Sequence, residues 1–112
     1  SISEVMPSPE GGMVSFYQYI QQNLEYPRRP CNFVGRVFLK FVVEIDGSLS
    51  NIKVLKGFNP QLDSNAVKVL RECPIRWHPG KAFNGRKVRT QISLPIKFDY
   101  LVRFSSPKKL PD

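Results

Sequence analysis

Residues 36–45 alternate without a break. Val37, Leu39, Phe41, Val43 and Ile45 fall on one side, and Arg36, Phe38, Lys40, Val42 and Glu44 on the other. A period of two is that of a pleated strand, so the first side faces a core while Phe38 and Val42 give the second side partial cover. Asp46-Gly47 follows at once, the strongest hairpin signal in the chain. Residues 49–56 therefore return as a second strand, with Ile52 and Val54 on the core side and Leu55 opposite.

One apolar sheet face needs a cover, and two amphipathic helices are available to supply it. Met13, Phe16, Tyr17, Ile20 and Leu24 recur at helical spacing, with Gln18, Gln21, Gln22 and Asn23 between them, and Pro27 ends the run. Asn59-Pro60 reads as a second helix start, with a capping side chain and proline at the first helical position; Asp63 is an alternative cap. Leu62, Ala66, Val69 and Leu70 form that helix's stripe, Cys73 stands at its end and Pro74 stops it. Residues 75–86 read as a loop holding Trp77, Pro79-Gly80 and Asn84-Gly85. Residues 87–98 form a last strand, with Val88, Thr90, Ile92, Leu94, Ile96 and Phe98 on one face and Arg89, Gln91, Ser93 and Lys97 facing out. Pro95 lacks a ladder donor, which points to an open edge or a bulge.

The expected fold is α+β, ordered helix-strand-strand-helix-strand. A three-stranded antiparallel sheet in the order 2-1-3 is packed on one face by two helices, with a right-handed crossover before the last strand. At 112 residues the chain is one domain, able to bury about two thirds of its extended surface. Residues 1–12 form an entry segment whose Pro7, Pro9, Gly11 and Gly12 rule out regular structure. The domain proper spans 13–99, and 100–112 is a basic tail. No stretch reaches the roughly 18 apolar residues of a membrane span. The chain opens on Ser1 rather than Met, which reads as a fragment or processed form, with room for a removed anchor.

Catalytic constellations are missing. The single histidine, His78, has no nucleophile or orienting partner at a telling spacing and reads as a loop residue. Asp46 is explained by its turn, Asp63 by a helix start and Glu72 as a solvated helix residue. One histidine and two distant cysteines make no metal motif, and no glycine pattern matches a phosphate loop. The expectation is a non-enzyme without metal or cofactor. Cys31 and Cys73 leave two readings open, one bridge in an oxidising compartment or two buried thiols.

Binding remains. The formal net charge of +8 suits nucleic acid, anionic membranes or acidic proteins, and equally a solvated surface. Arg76, Lys81, Arg86, Lys87 and Arg89, interleaved with Trp77 and Phe83, fit phosphate contact with base stacking. Against that, Trp77 is the only tryptophan and reads as a core anchor, and the helices carry few basic residues. The last strand offers another site. A sheet edge presents unpaired N–H and C=O groups to an extended peptide, whose side chains Arg89, Gln91 and Lys97 would read. The opposing reading is an edge protected by its charges and by Pro95.

A series of motifs then carries a resemblance across residues 9–99. Pro9-Glu10-Gly11-Gly12 leads into the first helix and Asn23-Leu24-Glu25-Tyr26-Pro27 closes it. Gly35-Arg36-Val37 and Phe41-Val42-Val43-Glu44-Ile45-Asp46-Gly47-Ser48 follow, then Leu62-Asp63 with Ala66-Val67. Pro74-Ile75-Arg76-Trp77-His78-Pro79-Gly80-Lys81, Asn84-Gly85-Arg86-Lys87-Val88-Arg89 and Leu94-Pro95-Ile96-Lys97-Phe98 complete it. In this order the series resembles the TonB C-terminal domains, in the branch common in Bacteroidetes-type bacteria. The stretch Arg28-Arg29-Pro30-Cys31-Asn32 departs from the family, which usually has a longer segment there.

The resemblance implies a periplasmic domain, anchored to the inner membrane in the full-length protein and reached through a proline-rich spacer. Its partner is the N-terminal peptide of outer-membrane TonB-dependent transporters, which adds as a strand to the last strand's edge. Proton-driven motor proteins of the inner membrane, engaged through the missing N-terminal part, supply the force. The implied peptide-binding residues are Tyr26, Pro27, Arg89, Gln91, Ser93 and Lys97, with Tyr26-Pro27 also readable as a helix stop with core packing. The periplasm permits a Cys31–Cys73 disulfide. Related domains fused to membrane sensors make a regulatory domain one alternative, and a nucleic-acid or anionic-surface module another. Nucleic acid is not expected as a partner, and an exposed edge accepts a second copy of the chain as readily as a peptide.

Overall fold

The hairpin forms where Asp46-Gly47 predicts it. The computed structural model describes residues 4–27, 33–57 and 59–100. Its elements are β1 (Ser8–Pro9), α1 (Gly12–Asn23), β2 (Phe33–Val43), β3 (Leu49–Lys56), α2 (Pro60–Arg71), β4 (Trp77–His78), β5 (Gly80–Lys81), β6 (Lys87–Val88) and β7 (Thr90–Tyr100). The fold is α+β. β2 lies between β3 and β7 in an antiparallel three-stranded sheet, so the three long strands run second, first, third. Two expectations need correction. The order helix-strand-strand-helix-strand omits the two-residue strands, which form two further sheets, β1 with β4 and β5 with β6. The last strand, expected over 87–98, is split at Arg89: β6 turns away to β5, and only β7 joins β2.

The alternation places Val37, Leu39, Phe41 and Val43 of β2 in the core beside Leu94, Ile96 and Phe98 of β7. Ile45 breaks the expected pattern. It belongs to the turn and is exposed, because β2 starts earlier than residue 36 and ends at Val43. α1 contributes Phe16, Ile20 and Leu24, and α2 contributes Leu62, Ala66, Val69 and Leu70. Each fully buried side chain of this size contributes about 1.5–3 kcal/mol, so this layer dominates over any surface contact. The Asn59 side chain caps α2 as predicted, accepting from the Gln61 and Leu62 amides at 3.0 and 3.2 Å.

Trp77 anchors the end of the sheet. It is 3% exposed and meets Phe16 and Phe41 edge-on at 5.3 and 5.5 Å. Its backbone N–H donates to the Gly47 carbonyl at 3.0 Å. Gly47 has φ 86, and a Cβ there would lie 2.4 Å from the Trp77 carbonyl oxygen, so this hairpin docks only because residue 47 is glycine. The indole Nε1–H is buried without an acceptor among the described residues. That costs about 1–3 kcal/mol. The burial of the indole and two edge-on ring pairs, at about 0.5–1.5 kcal/mol each beyond burial, outweigh it.

From Val5 on, the entry segment also pairs with the rest of the chain, against expectation. Pro9 pairs with Trp77 and Ser8 with His78, and Val5 bridges to Lys81. Proline at such a two-residue edge gives up a single donor, so the prolines do not exclude pairing. Cys73 is half-buried and unbridged among the described residues, and burial raises its pKa. Cys31, and with it the Cys31–Cys73 pairing, lies outside the described residues, as do Arg28, Arg29, Pro30 and the tail beyond Tyr100. No helix among the described residues is long and apolar enough to cross a membrane.

Candidate functional site

The last long strand is an edge. β7 pairs with β2 from Thr90 to Tyr100 without a register shift, and nothing pairs with its other side among the described residues. In an antiparallel strand alternate residues send both backbone groups to the same neighbour. Glu44 N–H donates to the Ser48 carbonyl, so the even residues of β2 serve the β3 side and its odd residues serve β7. By the register, Gln91, Ser93, Pro95, Lys97 and Asp99 then direct their backbone groups outward. Pro95 costs no ladder bond there, which explains how an unbroken strand tolerates it.

The outward row is not uniform. Tyr17 of α1 donates its hydroxyl to the Pro95 carbonyl at 3.2 Å, and Gln21 donates its amide to the Lys97 carbonyl at 3.0 Å. At the far end the Asp99 N–H donates to the Tyr26 hydroxyl at 3.2 Å. Burial raises the pKa of both tyrosines, which keeps the hydroxyls protonated; the Asp99 amide opposes that shift at Tyr26. Among the described residues no hydrogen bond reaches the outward groups of Gln91 or Ser93. Beyond the edge, α1 leaves Met13 and Val14 exposed, lining with Tyr17, Gln18 and Gln21 a shallow depression of about 490 Å³.

The residues expected at the site separate into three places. Gln91, Ser93 and Lys97 form one exposed row on β7, on the sheet face that the helices leave open. Lys97 Nζ also lies 3.6 Å from the Asp99 carboxylate. Tyr26 and Pro27 sit at the Asp99 end, with the Tyr26 ring edge-on to Phe98 at 5.5 Å. Arg89 lies outside β7, at the opposite end. It donates twice to the Glu44 carboxylate, at 2.7 and 3.0 Å, and Ser50 donates its hydroxyl to the same carboxylate. Those bonds, Arg89 first and Ser50 second, hold the Glu44 pKa at about 2. Arg89 thus ties β7's start to the turn end of β2 and β3. Tyr17 and Gln21 were missed as site residues; helical periodicity places Tyr17 in the apolar stripe and Gln21 as polar filler, and neither position carries a signal for a neighbouring edge.

The same open face gathers Arg36, Lys40 and Lys53 with Lys97, and a basin of about 500 Å³ there is lined by Val34, Arg36, Phe38, Lys56 and Lys97. Trp77 is buried and is no stacking platform, whereas Phe83 stands 87% exposed on the β5–β6 turn. Among the described residues no group of three or more His, Cys, Asp or Glu side chains is placed to hold a metal ion.

No curated protein and no solved structure matches the chain. A family model described as Gram-negative bacterial TonB protein C-terminal matches residues 22–100, which include Tyr26-Pro27, the whole central sheet, α2 and the Trp77 segment. The chain belongs to the family of TonB C-terminal domains.

Proposed function

We propose that this domain binds the N-terminal segment of an outer-membrane transporter as an added strand on β7 and passes a pulling force to it. The observation that carries the reading is the row of unbonded outward groups at Gln91 and Ser93 on a strand in unbroken register. A peptide laid along that row completes the ladder through main-chain bonds, and its side chains meet Gln91, Ser93 and Lys97 on the open face. A pull along the strand loads those bonds side by side. Membership of the TonB family supports a periplasmic setting, an inner-membrane anchor upstream and motor proteins that act through it. On this reading the domain works by binding and mechanical coupling and performs no bond chemistry.

The test is a titration of isotope-labelled protein with a synthetic peptide copying a transporter N-terminal segment. Amide shifts centred on residues 91–94 are the expected result. No shifts there, alongside tight and salt-sensitive binding to oligonucleotides, would overturn it. A second copy of the chain would compete for the same edge, and concentration-dependent broadening of those amides without peptide would show it.

A further inference from the structure

We infer that α1 and Tyr26 close the distal half of the β7 edge and so fix the register and length of the strand that adds to it. The inference rests on the strand-addition reading and goes beyond it by naming which backbone groups are available. Along the outward row, Gln91 and Ser93 offer both N–H and C=O. Pro95 has no N–H, and its carbonyl already accepts from Tyr17. The Lys97 carbonyl already accepts from Gln21, and the Asp99 N–H is spent on Tyr26. Past Ser93 an incoming strand finds one donor left open among the described residues, the Lys97 N–H, between two carbonyls that α1 holds.

The blocking groups are side chains, which distinguishes this edge from one closed by another strand. Tyr17 and Gln21 lie one helical turn apart, and their polar ends meet alternate carbonyls of β7. Half-buried Tyr17 is anchored by an edge-on contact with Phe16 at 5.7 Å, so its hydroxyl is aimed by core packing. A peptide that ran the whole length of β7 would have to displace Tyr17 and Gln21 and leave their polar atoms to find other partners. A peptide confined to the Gln91–Ser93 end displaces nothing. The partner is thus an extended segment whose pairing core is short, with its next residues turned over the Met13 and Val14 side of α1 rather than continued along the edge.

Amide hydrogen exchange on the full chain tests this, with the same synthetic transporter peptide as probe. In wild type, peptide slows exchange at Gln91 and Ser93 and leaves Lys97 unchanged. In the Tyr17→Phe, Gln21→Ala double variant, which removes both blocking groups and leaves the core packing, peptide also slows Lys97, and affinity rises about fivefold from the added pairing. Equal protection of Lys97 and Gln91 in wild type overturns the inference, as does a double variant with Lys97 unprotected and affinity unchanged. If peptide protects none of the three amides, strand addition itself fails and the register inference falls with it, an outcome distinct from the other two.

Discussion

The central sheet has two edges, and they are defended by different means. β3 is irregular. It pairs with β2 through two register shifts, and Asn51 within it adopts φ 52. Extra residues on one strand twist it and spoil its outer row as a template. β7 is regular over its whole length and relies on Tyr17, Gln21 and Tyr26 to occupy part of its row. A backbone bulge is permanent, whereas side chains on a helix leave some groups covered and others open. On the proposed reading, the edge that receives a strand is the one whose own backbone is unspoiled.

Proline substitution gives the largest contrast, because it separates inward from outward positions on β7. Ile92 faces Phe41 and sends its N–H into the ladder. Ile92→Pro should therefore destabilise the domain by about 3 kcal/mol or more, read from a denaturant midpoint. Ser93→Pro removes an outward donor and leaves the ladder intact, so stability should change little, while peptide affinity falls by at least about tenfold. The matching change on the other edge, Leu55→Pro in the bulge between Val54 and Lys56, should leave peptide affinity within about twofold. Equal losses of affinity from Ser93→Pro and Leu55→Pro would erase the difference between the edges.

The next effect is on β3 alone. At φ 52 asparagine is tolerated, while a β-branched side chain crowds the following carbonyl. Asn51→Val should cost about 1–2 kcal/mol with an unchanged denaturant slope. Asn51→Gly should stay within about 0.5 kcal/mol. If valine proves harmless, the bulge is not held by the backbone of Asn51, and β3 can straighten into an edge as open as β7.

Much of this contrast was hidden in the sequence, and the reasons differ by element. Alternation over 36–45, the Asp46-Gly47 turn and the Asn59-Pro60 start are local signals, and each element formed within a few residues of its expected place. The edge status of β7 was legible through Pro95. β1, β4, β5 and β6 were not, since two residues carry no period; β1 and β4 also pair across most of the chain, whereas β5 and β6 form a local hairpin around Asn84-Gly85. The bulge at Asn51 left Leu49 and Ile52 against the core and Val54 38% exposed, which simple alternation over 49–56 does not foresee. Arg89 matched an outward position by spacing alone; its capture by Glu44 depends on β7 being brought beside the end of β2. Tyr17 and Gln21 reach β7 across more than seventy residues of chain, and no periodicity within α1 announces such a contact.

The smallest expected effect concerns a cluster that joins both edges. Glu44 follows β2, Ser50 lies in β3 and Arg89 precedes β7, so their carboxylate-centred bonds span the sheet at its turn end. Exposed pairs of this kind add little to stability. Their signature is instead a titration. The Glu44 pKa falls from 4.5 to about 2, chiefly through Arg89 and then through Ser50. A carboxylate whose folded pKa is depressed lends its stability above the unfolded value and loses it as pH falls through the folded one. The Glu44 contribution should therefore be complete above pH 4.5 and fade between 4.5 and about 2. The carboxyl carbon shift of Glu44 should show a midpoint near 2 in wild type, and a higher one in Arg89→Ala, where only Ser50 remains to hold it down. A wild-type midpoint near 4.5 would mean that Arg89 is not held by Glu44, which leaves its guanidinium free to read a bound strand.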